Sequence, residues 1–187
     1  TLQGVLDLTV PGGGSAGKAV HLHALSAISD LSAYGVGVAS NGNGAETSQE
    51  YTFPAISVAA GDDILLARDT TVMLAYLSYG ASEFEHVLLA NSYISQNGND
   101  AIQLWHNTVW VETFGDPSDN PDTQGSGCGT DPTCWDYEDA WAYRTGANTT
   151  GDNSFVIGDW NIADVNCTDG GTTIYDNSCL YSICPIV

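Results

Sequence analysis

The sequence predicts an all-β sandwich in a single domain, and three observations carry that expectation. Twenty-one Gly and one Met sit among many Ser, Thr, Asn and Val, a balance that favours strands and turns over helices. Five Trp, nine Tyr and four Phe, with 43% apolar residues, supply a core that disordered acidic chains lack. Short apolar or alternating segments recur between Gly-rich turns, the rhythm of packed antiparallel sheets. A chain of 187 residues has the size of one domain and can bury roughly 70% of its unfolded surface.

Residues 5–10 alternate loosely and stop at Pro11-Gly12-Gly13-Gly14, a strand followed by a flexible turn. Residues 18–25 alternate too, with His21 and His23 on one face and Val20, Leu22 and Ala24 on the other. Residues 35–39 form a short strand closed by the Asn-Gly-Asn-Gly loop at 41–44. Residues 51–53 and 63–67 are strands on either side of Ala60-Gly61-Asp62. The stretch 69–77 is the one helix: Asp69 or Thr70 caps it, and Val72, Met73, Tyr76 and Leu77 form its apolar side. Residues 87–90 are apolar. Residues 101–105 and 108–114 make the clearest pair, joined by a two-residue turn at His106-Asn107 that lacks the favoured Gly. A long acidic loop occupies 115–133, and 141–144 and 155–157 are the last core strands. The tail 161–187 reads as irregular and held by disulfides.

Several segments in this order are familiar: Gly17-Lys18-Ala19-Val20-His21-Leu22, Asp30-Leu31-Ser32-Ala33-Tyr34-Gly35-Val36, Tyr51-Thr52-Phe53-Pro54 and Ala60-Gly61-Asp62. They are followed by Gln96-Asn97-Gly98-Asn99-Asp100-Ala101-Ile102-Gln103-Leu104, by 109–115, and by Trp135, Asp139 and Trp141-Ala142-Tyr143-Arg144. This ordered set resembles the lamin tail domain family, in its secreted bacterial branch. The resemblance implies an immunoglobulin-like β-sandwich across nearly the whole chain. It also implies an accessory or interaction module, of the kind found beside nucleases, hydrolases and adhesins, with no common catalytic residues. The chain departs from the family at His21, where an acidic residue is usual, and in its acidic loop and late cysteines.

Charge removes whole classes of partner. Lys18, Arg68 and Arg144 stand against 23 acidic residues, for a net charge of -20. Nucleic acid needs a cationic footprint, and three scattered positives do not build one. Anionic membranes and acidic polysaccharides are repelled unless a metal bridges the two sides. Self-association is opposed for the same reason, so the isolated domain is expected to be monomeric. No apolar run of 18 residues is present. The start at Thr1 reads as that of a processed secreted protein or a cut fragment.

The cysteines are Cys128, Cys134, Cys167, Cys179 and Cys184, all downstream of the four His. Disulfides in long loops are the better reading than zinc, and they imply an oxidising compartment, secreted or at the cell surface. The expected bridges are Cys128–Cys134 and Cys167 with either Cys179 or Cys184, leaving one thiol over.

Most single candidates have a plain structural reading. Asp100 reads as a turn carboxylate accepting backbone N–H bonds, and Arg144 as the partner of a half-buried or buried carboxylate. His21 and His23 have metal-ligand spacing if His86, His106 or a carboxylate joins them, but two exposed histidines on a sheet face is the plainer reading. Nucleophile elbows, metalloprotease helices, phosphate loops and dinucleotide fingerprints are missing from the sequence. The acidic loop is different: Asp116, Asp119 and Asp122 recur every third position in a loop stiffened by Pro117 and Pro121, and such oxygen-rich loops hold calcium. A solvated acidic loop is the alternative. Trp105 and Trp110 flank the expected turn, and Trp135 adjoins Cys134, where a disulfide would present it rigidly for stacking on sugars or protein.

These readings point to a non-catalytic extracellular or cell-surface module for interaction or adhesion, stabilised by calcium and without an organic cofactor. Its partner is a protein or a neutral glycan. A carbohydrate-binding module for neutral glycans is the first alternative, and a secreted metal-dependent hydrolase the second.

Overall fold

The computed structural model describes residues 1–10, 14–78, 83–121, 131–145, 151–176 and 179–181. Ten strands run through the described residues: β1 (Leu2–Asp7), β2 (Lys18–His23), β3 (Tyr34–Ala39), β4 (Tyr51–Thr52), β5 (Asp63–Ala67), β6 (His86–Leu89), β7 (Ala101–His106), β8 (Val109–Phe114), β9 (Ala140–Arg144) and β10 (Trp160–Ile162). One helix, α1 (Thr70–Tyr76), lies between β5 and β6. The strands form a six-stranded sheet, β10-β9-β1-β2-β5-β6, and a four-stranded sheet, β4-β3-β7-β8. The expected β-sandwich is therefore present.

Alternation along the strands builds two cores. Val20 and Leu22 of β2, and Ile64 and Leu66 of β5, face Val36, Val38, Ile102, Leu104 and Phe114 of the smaller sheet. The intervening residues Ala19, Leu65 and Ala67 face the other way, into a second core with Met73, Tyr76, Leu77, Ile174 and Tyr181. So the larger sheet is covered on both faces, by the small sheet on one side and by α1 and the tail on the other. On β1 the register slips between Leu2 and Gly4. This bulge puts both Leu2 and Val5 into the first core, although a regular strand would send residues three apart to opposite faces.

Local chemistry sets the element ends. The Asp69 side chain accepts the Val72 N–H at 3.0 Å and caps α1, as expected. α1 lies within the crossover that makes β5 and β6 parallel. The β7–β8 turn falls one residue later than expected, at Asn107-Thr108, with φ of 48° and 65°. Two successive positive-φ residues are what a two-residue hairpin needs to match strand twist. The strand expected at 155–157 is instead a 3₁₀ turn, Ile157–Asp159, leading into β10.

Beyond β10, the described residues 163–176 and 179–181 form no further helix or strand, and Cys167–Cys179 closes them, one of the two pairings expected for Cys167. This tail is sewn to the sheet by hydrogen bonds. The Trp141 Nε1–H donates to the Cys179 carbonyl at 3.2 Å, and the Thr9 N–H to Thr168 Oγ1 at 3.1 Å. Cys134 is also disulfide-bonded. Its expected partner Cys128, and Cys184, lie outside the described residues. A disulfide of this kind fits an oxidising compartment. Among the described residues no helix is long and apolar enough to cross a membrane.

Candidate functional site

The β7–β8 hairpin carries Trp105 and Trp110 opposite one another in register. They meet different fates. Trp105 is buried, while Trp110 is half-buried with its Nε1–H donating to the Glu112 carbonyl at 2.8 Å. That bond fixes the indole ring, and beside it opens a cleft of about 300 Å³. Its walls include Asp116, Ser118, Asn153, Ser154 and Phe155.

Each wall has a local cause. The Thr113 N–H donates to the Asp152 carbonyl at 3.1 Å, which pins the segment after 151 along β8. The Asp152 carboxylate accepts the Ser154 N–H at 2.7 Å, turning the chain so that Asn153 and Ser154 reach the cleft. Phe155 is held edge-on by Phe114, with ring centroids 5.5 Å apart. On the opposite side, the Asp116 carboxylate accepts the Ser118 N–H at 2.9 Å, and its carbonyl accepts the Asp119 N–H at 3.0 Å.

This arrangement corrects two expectations about tryptophan. Trp135 is 1% exposed, packed edge-on against Phe114 in the main core. Its Nε1–H donates to the Asp119 carboxylate at 3.2 Å, so the bond that orients it points the indole inward from the acidic loop. Trp105 is 5% exposed and is likewise not a solvent platform. Of the three candidates only Trp110 borders open space. Asp116 and Asp119 are exposed, and Asp122 lies outside the described residues. Among the described residues no group of three or more His, Cys, Asp or Glu side chains is gathered for a metal.

Every cation in the chain is committed internally. Lys18 meets Asp7 at 2.6 Å and the Gln96 carbonyl. Arg68 donates to the Ile94 carbonyl at 2.8 Å. Arg144 is buried against the Glu112 carboxylate and lies 4.5 Å over the Trp160 ring, as its expected pairing required. Asp100 is the turn carboxylate expected of it, accepting the N–H groups of Asn41 at 2.8 Å and Asn97 at 3.1 Å.

The histidine face is also corrected. His21 is 1% exposed, because the tail covers the sheet face on which it stands. Its Nε2 lies 2.9 Å from Asp63 Oδ1 and its Nδ1 2.8 Å from the Tyr181 hydroxyl. His23 Nδ1 shares the same Asp63 oxygen at 2.8 Å. Burial pushes the His21 pKa below its ordinary value and the Tyr181 pKa well above its own. So Tyr181 keeps its hydroxyl hydrogen and donates it to a neutral imidazole, whose Nε2–H donates to Asp63.

Comparison with protein-family models, curated proteins and solved structures finds no match to this chain.

Sequence reasoning missed Asn153, Ser154, Phe155 and Tyr181. Nothing local marks them: 151–155 reaches Trp110 only through its bond to β8, and Tyr181 reaches His21 across 160 residues.

Proposed function

We propose that this protein is a non-catalytic extracellular module with a lamin-tail-like, immunoglobulin-like sandwich, and that it binds a neutral glycan at the Trp110 cleft. The observation that carries the reading is the composition of that cleft. A fixed indole stands beside hydroxyl, amide and carboxylate groups, the set that stacks on one face of a sugar and hydrogen-bonds its hydroxyls. Neutrality follows from charge, since all three cations have internal partners and the chain carries -20. The secreted setting is supported by the Cys167–Cys179 bridge.

A glycan array in calcium-containing buffer tests the proposal. Trp110→Ala is expected to weaken binding about tenfold, the loss of roughly 1.4 kcal/mol from one aromatic contact, while the melting temperature holds. Silence across neutral glycans, with binding to a basic protein instead, would favour the adhesion reading. A specific observation supports that second reading: Val109 and Val156 are 61% and 54% exposed, and Val109 adjoins Trp110. Exposed apolar residues beside an aromatic suit the centre of a protein contact.

Calcium is the other part of the proposal, with Asp116 and Asp119 of the acidic loop as its proposed ligands. Millimolar calcium is expected to raise the melting temperature by several degrees over excess chelator at fixed ionic strength, because it binds only the folded form. Identical melts would remove the structural-ion role. Ionic strength is held constant because salt alone screens a charge of -20.

A further inference from the structure

Next to the Trp110 cleft lies a smaller pocket, and the two share Thr113 and Ser154 in their walls. Its volume is about 80 Å³ against about 300 Å³ for the cleft, room for one substituent rather than a second ring. Arg144, Gly151, Asp152, Val156, Asp159 and Trp160 complete its lining. Pairing of β9 with β10 sets Arg144 opposite Trp160 in register. Gly151 sits directly on the Arg144–Glu112 pair: a Cβ there would lie 2.1 Å from Glu112 Oε1, the oxygen that Arg144 holds.

The Arg144 side chain is 4% exposed. Its Nε donates to the Leu2 carbonyl and its Nη2 to Glu112, and the guanidinium lies over the Trp160 ring. Among the described residues Nη1 has no hydrogen-bond partner. It is nevertheless not one of the unpartnered polar atoms sealed from solvent, so it reaches open space, and the pocket that Arg144 borders is that space. A buried donor calls for an acceptor. Two carboxylates stand in the same pocket. Asp152 spends one oxygen on the Ser154 N–H at 2.7 Å. Asp159 is tied through its backbone, its N–H to the Val156 carbonyl at 3.0 Å and its carbonyl to the Thr145 N–H at 2.8 Å, which leaves its carboxylate as the open acceptor among the described residues. Val156 adds an exposed apolar wall. An acidic substituent meets repulsion from both carboxylates, and a hydroxyl leaves the apolar wall uncovered. An acetamido group has an acceptor, a donor and a methyl, one for each feature.

We propose that the glycan of the Trp110 cleft is a 2-acetamido sugar, with its ring on Trp110 and its acetamido group in this pocket: carbonyl on Arg144 Nη1, N–H on the Asp159 carboxylate, methyl against Val156. The assignment rests on the glycan reading and narrows it to N-acetylated chains.

The test uses triacetylchitotriose and cellotriose as probes on the whole chain. Both are β-1,4-linked glucose trimers, and they differ only in acetamido against hydroxyl at C2. Titration calorimetry is expected to show triacetylchitotriose binding about tenfold tighter or better, the worth of a hydrogen bond to a charged group. Asp159→Ala removes the acceptor and keeps both backbone bonds, and it should bring the two sugars to within about twofold of each other. Intermolecular NOEs from an acetyl methyl should reach the methyls of Val156. Equal affinity for the two sugars, a preference that survives Asp159→Ala, or acetyl NOEs confined to other residues would each overturn the proposal and leave the glycan reading standing. So would failure of triacetylchitotriose to bind while other neutral glycans on the array do. Silence across the whole array would overturn both. The NOE measurement needs no variant, so it decides the matter even if Asp159→Ala fails to fold.

Discussion

Arg144→Met is expected to destabilise the fold by about 3–5 kcal/mol, the usual result of stripping the partner from a buried charge. Glu112 is the charge left behind. It is 3% exposed, and its carboxylate accepts from the Leu2 N–H at 3.0 Å and from Arg144. Those backbone and side-chain bonds hold β1, β8 and β9 in one network across both sheets. Arg144 also donates through Nε to the Leu2 carbonyl at 2.8 Å, so the substitution removes more than one interaction. For a domain of this size each kcal/mol moves the melting point by roughly 2–4 °C, which puts the expected drop on the order of 10 °C. Urea unfolding of Arg144→Met, Glu112→Leu and the double variant checks the cause. The double variant should lose clearly less than the sum of the singles, since neither charge is then buried alone. A single variant melting within a degree or two of the parent would show that the pair contributes little.

The second large effect is expected at the tail. Converting both Cys167 and Cys179 to Ser opens a closure with a sequence separation of 12. Chain-entropy reasoning puts the loss at about 3 kcal/mol. A steric route to the same end is Gly4→Ala. The added Cβ would lie 1.7 Å from the Tyr181 hydroxyl oxygen, and that ring is fully buried against the sheet. Both variants should release the tail from Trp141, Tyr143 and His21, seen as faster amide exchange in 160–181 with the inter-sheet core still protected. Exchange unchanged in that segment would show that the tail does not depend on these contacts.

Acid should have a similar effect, and the sign follows from His21. Its pKa is lowered in the fold by burial, so the unfolded chain takes up the proton first. Its contribution to stability is present in full above its ordinary value of 6.5 and is lost as pH falls through the folded value. Asp63, held below its ordinary 3.8 despite burial, adds a loss of the same sign in the more acid range. A melting series from pH 8 to pH 3 with parent and His21→Phe tests this. The variant should lack the first decline and show a smaller second one, because one of the two hydrogen bonds that hold Asp63 down comes from His21.

Trp135 shows how a contact reverses a reading. Next to a cysteine in an acidic loop it reads as a rigid exposed platform. Folded, it is a core residue against Phe114, and Trp135→Ala would cost about 3–5 kcal/mol through the cavity it leaves. It is therefore a stability variant, and Trp110 carries the binding test.

What the sequence alone determined was local. Apolar runs and turn residues located most strands, and one segment, Asp63–Ala67, was placed to the residue. Asp69 announced the helix start because an N-cap bond spans only three residues. Asp100 announced its turn for a similar reason, although one of its two bonds reaches Asn41. Arg144 had to find a carboxylate because a chain with three cations and 23 acids leaves few alternatives. What only the tertiary structure decided was which surfaces stay open. Alternation along β2 separates its two faces but does not say what covers each. His21 is buried because Tyr181 docks from 160 residues away. Trp110 borders a cleft because Asn153 and Ser154 arrive beside it on a segment pinned to β8. Hydrogen-bond reach and side-chain periodicity act within a few residues, whereas exposure is a property of the whole packed chain.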